Sequence, residues 1–226
     1  MNGRLIARTD LTVVQCHAML ALMQENFVGV TAERFRGDLA EKNWVILLED
    51  EVGKLRGFST LLLYATQVDG VPVRVVYSGD TIVHRDAWGS NALARTWLGA
   101  VRAWQSEVPL YWLLITSGFR TYRFLPVFWK EFWPRHDAPV LPSLLTAMAR
   151  ERFAHRYDPA TSILRFAAPQ VLRNGLKEIP PGRLGNPHVN FFARVNTGHA
   201  RGDELVCLCP LRRANQTTTG RKLVAL

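Results

Sequence analysis

The chain has 226 residues, of which 48% are hydrophobic and 21% are charged. This length and composition fit one large domain, or one domain with an appended subdomain, and exclude a wholly disordered chain. No apolar run approaches the roughly 18 residues of a membrane-spanning helix, and the first residues lack the apolar stretch of a signal peptide. We therefore expect a cytoplasmic protein without a membrane span.

Three cysteines, Cys16, Cys207 and Cys209, are too few for a disulfide framework, and their odd number suits a reducing compartment. With His188 and His199, the last two cysteines suggest zinc. Structural zinc sites typically place two to four residues between paired cysteines, whereas one residue separates these two. The sequence therefore predicts no metal site.

Positive charge is concentrated in the second part of the chain. The formal net charge is +9; residues 1–119 carry 11 basic and 12 acidic side chains, and residues 120–226 carry 17 and 7. A one-sided basic surface attracts polyanions such as nucleic acid, anionic lipid, an acidic carrier protein or a phosphorylated cofactor. Charge alone leaves these partners open.

Hydrophobic periodicity in residues 1–119 predicts alternating helices and strands. The predicted elements are helices over 11–27, 31–42 and 92–107 and strands over 44–48, 55–68, 73–83 and 110–116. Asp69 and Gly70 form the dipeptide that tight hairpin turns favour, so the strands over 55–68 and 73–83 are expected to be antiparallel neighbours.

The rest of the chain is broken by prolines into shorter pieces. We predict a helix over 143–155, a loop over 170–187 and strands over 162–166, 188–195 and 204–208. We divide the chain into a core over 1–135, a C-terminal part over 136–211 that completes the sheet, and a basic tail over 212–226.

The element order and the segment 83–92, which joins the fourth strand to the third helix, resemble the GCN5-related N-acetyltransferase (GNAT) superfamily. The resemblance covers roughly residues 11–133. It implies an α/β fold with a mixed, mostly antiparallel central sheet flanked by helices. It also implies transfer of an acyl group from a thioester donor to a small-molecule or peptide amine.

In that family the segment Val-x-Pro-x-x-Arg/Gln-x-x-Gly-x-Gly/Ala holds the pyrophosphate of acyl-CoA with its backbone N–H groups. Here Trp88 stands where Arg or Gln is expected, Asn91 where the first Gly is expected, and Leu93 where Gly or Ala is expected. The donor could instead be an acidic acyl-carrier protein, which shares only the pantetheine arm. The resemblance implies these donor-binding residues: Ile82, Val83, Trp88, Gly89, Ser90 and Asn91.

The resemblance also implies acid and base residues near the fourth strand. Tyr122 is the candidate that protonates the leaving thiolate, and Asp80 or His84 is the candidate base. Period-two alternation places Ser78, Asp80, Ile82 and His84 on one strand face, with Asp80 and His84 roughly 13 Å apart, so each would act alone. The structural alternative has Asp80 paired with an arginine and His84 as a plain strand end.

The non-catalytic alternative is a basic module that binds nucleic acid or an acidic protein through the positively charged second half of the chain. The aromatic and basic segment 111–135 could stack bases of nucleic acid or line an acyl tunnel. Motifs of serine hydrolases, P-loop nucleotide hydrolases and zinc proteases do not occur. Region 188–204, in which the polar, glycine-rich turn 197–204 follows an apolar segment, could contact substrate, with a role that its residues do not specify.

Overall fold

The computed structural model describes residues 1–138 and 140–225. The helices are α1 Val13–Asn26, α2 Ala32–Ala40, α3 Ala92–Ala103, α4 Phe119–Tyr122, α5 Phe124–Phe128, α6 Ser143–Phe153, α7 Pro187–Val195 and α8 Thr218–Ala225. The strands are β1 Asn2–Ala7, β2 Phe27–Val28, β3 Trp44–Glu49, β4 Leu55–Val68, β5 Val71–Val83, β6 Leu110–Thr116, β7 Tyr157–Asp158, β8 Ile163–Leu164, β9 Val171–Leu172 and β10 Glu204–Pro210.

The central sheet has eight strands in the order β1-β3-β4-β5-β6-β10-β8-β7. Its neighbours are antiparallel except β5 and β6, which are parallel and are connected by α3. A parallel pair needs such a crossover because a tight turn can only reverse the chain. The expected GNAT-like α/β fold, with a mixed and mostly antiparallel sheet flanked by helices, is confirmed.

The sheet opens between β5 and β6. These strands pair only where Arg74–Ser78 meets Leu110–Leu114, although β5 runs on to Val83 and β6 to Thr116. On its other side β5 bulges, because Ser59 pairs with Thr81 while Leu61 pairs with Ser78. The bulge leaves two residues of β5 opposite one residue of β4, and such a feature bends the strand and ends regular pairing.

Helices cover both faces of the sheet. Helix α3 buries Leu93, Trp97, Leu98 and Val101 against one face, because these residues recur at the spacing of one helical side. Helix α6 packs on the opposite face through Leu145 and other residues. Helices α1 and α2 pack over β3 and β4. The open end of β5 and β6 therefore lies in a sheet that helices cover on both faces.

Residues 188–195 are helical, so the predicted strand there is wrong. Asn186 caps α7 by accepting hydrogen bonds from the N–H groups of His188 and Val189, and Pro187 occupies the first turn. An Asn cap followed by Pro is a helix start, and this local signal outweighs the strand-like alternation.

Both ends of the chain add structure that periodicity did not predict. Residues 2–7 form β1, which pairs with β3 at the sheet edge. The segment expected as a basic tail contains a 3-10 turn, Arg213–Asn215, and helix α8, which contacts α3 and α5. None of the helices in the described ranges is both long and apolar enough to cross a bilayer.

Candidate functional site

Two cavities meet where β5 and β6 separate. The first has a volume of about 500 Å³ and the second about 320 Å³. Thr81 at the end of β5 lines both cavities, as do Gly118 and Thr121 after β6, and Leu172 of β9. The opening in the sheet thus connects the two sides of the molecule.

The mouth of the first cavity is the turn that leads into α3. Asn91 is the N-cap of the helix and lines the cavity with Leu93 and Ala94, whose N–H groups belong to the first turn and have no intrahelical acceptor. The Ala92 N–H donates to Ser90 Oγ at 3.1 Å. Free amides and the positive end of the helix dipole favour an anion here.

Five of the six expected donor residues line the first cavity: Ile82, Val83, Trp88, Ser90 and Asn91. Trp88 Nε1 donates to the Val83 carbonyl at 2.9 Å and so fixes the turn. The sixth, Gly89, does not line either cavity; it is exposed, and a Cβ at this position would contact nothing within 4 Å.

Arginines surround this mouth. Arg120, Arg123 and Arg183 line the first cavity, and the Arg120 guanidinium lies 4.3 Å from the ring centroid of Trp88. Burial, and after it the positive charges of Arg85 and Arg183, lower the pKa of Arg120. Neighbouring cations that oppose the protonation of Arg120 create a positive field at this mouth, and guanidinium groups match phosphate oxygens geometrically.

Deeper in the first cavity the walls are apolar. Trp97, Trp112, Leu114 and Phe119 line it and are buried. Trp112 Nε1 donates to Ser78 Oγ at 2.8 Å, whereas Trp97 Nε1 has no partner among the described residues. The cavity therefore passes from a cationic mouth to an apolar interior.

The second cavity carries charges of both signs. Its charged lining residues are Arg34, Asp38, Glu41, Lys42, Asp80, Arg152, Arg156 and Glu204. Two pairs are joined: Arg152 Nη2 lies 3.0 Å from Glu41 Oε2, and Arg34 Nε lies 3.7 Å from Asp38 Oδ2. Among the described residues, none donates a hydrogen bond to the Asp80 or Glu204 carboxyl, and neither is in an ion pair.

Burial perturbs both of these carboxyls. It raises the pKa of Asp80 to about 6, with the charge of Asp38 adding to the rise and Lys42 opposing it. It raises the pKa of Glu204 to about 8, with the charge of Asp80 as the next cause. Glu204 therefore keeps its proton to a higher pH than Asp80 does, a separation that is typical of an acid and a base sharing one site.

Lys42 and Gly79 bring the bulge of β5 close to α2. Buried Lys42 donates from Nζ to the Asp38 carbonyl at 2.8 Å, and burial lowers its pKa. A Cβ on Gly79 would lie 2.7 Å from both Lys42 Cε and Thr60 Oγ1. Only glycine allows this approach, which places the charged end of Lys42 beside the second cavity.

The bulge overturns one geometric prediction. Ser78 lines the first cavity and Asp80 the second, so the expected alternation that places Ser78 and Asp80 on one face is wrong. The extra residue opposite Thr60 shifts the alternation of β5 at this point.

Of the three expected acid–base residues, only Asp80 lines a cavity. His84 lies at the end of β5, where its Nδ1 accepts from the Asp86 N–H at 3.3 Å and its Nε2 lies 3.4 Å from Glu25 Oε1. Its position matches the alternative of a plain strand end, and its side chain caps the turn that follows.

Tyr122 is fully buried and does not line either cavity. Its hydroxyl donates to the Pro134 carbonyl at 2.9 Å, and the ring packs against Phe132 and Phe192. Burial raises its pKa. The expected role as thiolate acid therefore does not fit its place in the fold, which is the core beneath α7.

Sequence reasoning included Glu204 only as the last residue of the region 188–204 and gave it no chemical role. It follows the polar, glycine-rich turn that ends at Asp203, and it is the only charged residue of an otherwise apolar strand. A lone charge at the start of a buried strand was the available signal, and the predicted substrate contact of region 188–204 is kept as a proposal for this residue.

Base stacking on the aromatic segment does not fit the structure. Trp112, Phe119, Phe128, Trp129 and Phe132 are all buried in the core.

Cys207 and Cys209 are buried too, and burial raises the pKa of each thiol. Within residues 1–138 and 140–225, no three His, Cys, Asp or Glu side chains are placed to share a metal ion.

Comparison with known proteins yields similar solved structures, while no family model and no curated protein matches the sequence. One is a protein of unknown function from Enterococcus faecalis, described as a probable N-acyltransferase, with 17% identity and a TM-score of 0.41. The match covers 54% of this chain but only 31% of that protein, so this chain corresponds to less than a third of its length.

Two further structures are similar to the same degree. A GNAT-family N-acetyltransferase from Escherichia coli in complex with CoA has 12% identity and a TM-score of 0.40, with 55% of this chain and 68% of that chain covered. An acyl-CoA N-acyltransferase from Pseudomonas aeruginosa has 18% identity and a TM-score of 0.40, with 55% and 82% covered. The fold is GNAT-like, and its strand order and parallel β5–β6 pair carry that assignment.

Proposed function

We propose that the chain transfers an acyl group from a thioester donor to an amine. The observation that carries this proposal is the meeting of two unlike cavities at the separation of β5 and β6. One has a cationic mouth and an apolar interior, as a phosphorylated thioester requires. The other holds carboxyls with raised pKa values, as proton transfer from an amine requires.

The donor side fits acyl-CoA in its chemistry. The first turn of α3 and the side chains of Arg120, Arg123 and Arg183 would hold phosphate groups. The apolar walls formed by Trp97 and Trp112 would exclude water around the thioester arm. When bound, the donor supplies an acyl carbon that an amine can attack. An acyl-carrier protein is the second donor of the same chemistry, because it presents the same arm.

On the acceptor side, Asp80 would accept a proton from the attacking amine because its carboxyl is ionised near neutral pH. Glu204, which is mainly protonated there, would donate a proton to the departing sulfur. In the balanced reaction a C–N bond forms, the C–S bond breaks, and one proton moves from nitrogen to the carboxyls while one moves to sulfur.

We further propose the cytoplasm as the compartment, since Cys16, Cys207 and Cys209 are all free. Free thiols persist in a reducing environment.

A thermal-shift panel tests the donor: CoA, acetyl-CoA, a long-chain acyl-CoA and an acyl-carrier protein are each added to the folded chain. A ligand that binds the native state raises Tm with concentration. Thiol release, measured with a mixed set of amines, then tests turnover. A Tm rise with a CoA thioester assigns the CoA donor, and a rise with the carrier protein alone assigns that donor. No rise and no thiol release with any thioester would overturn the function.

A further inference from the structure

Two aromatic rings of the second cavity each lie between two cations. The Tyr77 ring centroid is 5.3 Å from Lys42 Nζ and 4.0 Å from Arg152 Cζ. The Phe166 centroid is 5.7 Å from Arg34 Cζ and 5.5 Å from Arg156 Cζ. The rings position positive groups around the cavity that also holds Asp80 and Glu204.

Part of this positive charge is unused by the protein. Arg34 donates to the Ala168 carbonyl and pairs with Asp38. Arg152 pairs with Glu41, yet its Nε is buried and has no partner in the described residues. Exposed Arg156 makes no side-chain hydrogen bond or ion pair within those residues. A buried donor without an acceptor is unfavourable, so a ligand that supplies one would be stabilised.

The cavity thus offers two kinds of binding group. Unpaired carboxyls on β5 and β10 suit an ammonium group, and unengaged guanidinium N–H groups on and after α6 suit a carboxylate or phosphate. A volume of about 320 Å³ is at the small end of ligand cavities, which run from roughly 300 to 1,000 Å³, and therefore suits a small molecule.

We propose that the acyl acceptor is a small zwitterionic amine, that is, a primary amine that carries its own carboxylate or phosphate group. This inference rests on the proposed acyl transfer. The ammonium lies at Asp80, whose carboxylate takes one proton to give the free amine and returns it to solvent, and the anionic group lies at Arg156 and Arg152. Formation of the C–N bond releases a second nitrogen proton, which replaces the one that Glu204 gives to the departing sulfur. The product is a neutral amide that has lost its attraction to Asp80, so it is released.

Matched acceptor pairs test this directly. Alanine is compared with ethylamine, and phosphoethanolamine with ethanolamine, by thiol release with the thioester that raises Tm. We expect kcat/KM at least tenfold higher for one zwitterion than for its partner that lacks the anionic group. The pair that responds identifies carboxylate or phosphate. Equal kcat/KM within both pairs would overturn the inference.

Variants of Arg156 sharpen the test. In Arg156→Gln, the ratio of kcat/KM for the zwitterion to kcat/KM for its partner without the anionic group should fall close to one. Arg156→Glu should instead favour a diamine such as putrescine. Arg201→Gln, an equal charge change on an exposed arginine that lines neither cavity, should keep the wild-type preference.

An unaltered preference in both Arg156 variants would overturn the inference. Thiol release with simple amines alone would overturn it too but would leave acyl transfer standing, whereas no thiol release with any amine would overturn acyl transfer itself.

Discussion

Glu204 on β10 and Asp80 on β5 line one cavity, and the charge of Asp80 is the second cause, after burial, of the raised pKa of Glu204. The two carboxyls lie on strands that are not neighbours, since β6 stands between them in the sheet. The opening between β5 and β6 is what lets both face the same space. Glu204 therefore titrates in an environment that the charge of Asp80 helps to set.

The first prediction concerns the pH dependence of stability. The Glu204 carboxyl has its ordinary pKa of 4.5 in the unfolded chain, whereas in the folded protein its pKa is about 8. Between these two values the folded state keeps a proton that the unfolded state has released, so stability falls as pH rises from about 4.5 and levels off above about 8. We expect Tm to fall over pH 6.0 to 8.0 in the wild type and to change less in Glu204→Gln.

Differential scanning fluorimetry across that window measures both slopes. Glu107→Gln, at an exposed position, is the matched control and should retain the wild-type slope. Parallel slopes for Glu204→Gln and the wild type would contradict the raised pKa.

The second prediction assigns the base. If Asp80 accepts the amine proton, the rate rises with pH through about 6, because the ionised carboxylate is the active form. Asp80→Asn keeps the shape but cannot accept the proton, so turnover should fall by roughly 10² to 10⁴-fold. Steady-state kinetics over pH 5 to 9 give both results. Asp69→Asn, in the exposed turn before β5, should behave as the wild type.

If the rate instead rises with pH through about 8, and Asp80→Asn loses little turnover, the base is Glu204 and not Asp80.

Hydrophobic periodicity was enough to predict β3, β4, β5, α3 and β6, because one or both faces of each are buried. It could not predict the edge strand β1, whose residues are exposed or half-buried, or α7, whose alternating apolar residues resemble a strand. For α7 the Asn186–Pro187 cap was visible in the sequence and was the better guide.

The site was only partly predictable for a physical reason. Asp80 could be singled out on β5, but a bulge depends on how β4 and β5 pair, and nothing local to Gly79 specifies the partner register. Glu204, which shares the second cavity with Asp80, lies on β10, far along the chain from β5. Only the strand order of the sheet brings the two residues into one cavity. The family's tyrosine position was assigned by nearness in sequence to β6, and Tyr122 instead points into the core.

The third prediction follows from that position of Tyr122. Tyr122→Phe removes the hydroxyl that donates to the Pro134 carbonyl and leaves this acceptor buried and unpaired. The expected cost is about 1–3 kcal/mol in the free energy of unfolding. Because the hydroxyl lines neither cavity, kcat of the folded variant should equal that of the wild type. Urea unfolding and steady-state kinetics check the two parts, and a large loss of kcat at unchanged stability would contradict the placement.

The fourth prediction compares two glycines. A Cβ at Gly79 would overlap Lys42 Cε and Thr60 Oγ1, whereas a Cβ at Gly89 meets open space. Gly79→Ala should therefore destabilise the fold by about 1–3 kcal/mol, as overpacking does. Gly89→Ala should leave Tm and donor affinity unchanged. Chemical unfolding measures the first, and donor titration the second. Weaker donor binding in Gly89→Ala would return this residue to the donor site.

The last prediction concerns the cationic mouth of the first cavity. Arg183 is exposed, lines that cavity and makes no side-chain hydrogen bond or ion pair in the described residues, so Arg183→Gln should not disturb the fold. A hydrogen bond to a charged phosphate contributes about 1.5–3 kcal/mol, so its loss should raise the Kd for CoA roughly tenfold to hundredfold. Isothermal titration at two salt concentrations separates charge from shape, since screening should weaken wild-type binding more than binding to the variant. Arg201→Gln carries the same change in net charge away from the mouth and should bind CoA as the wild type does. An equal Kd for all three proteins would remove Arg183 from the donor site.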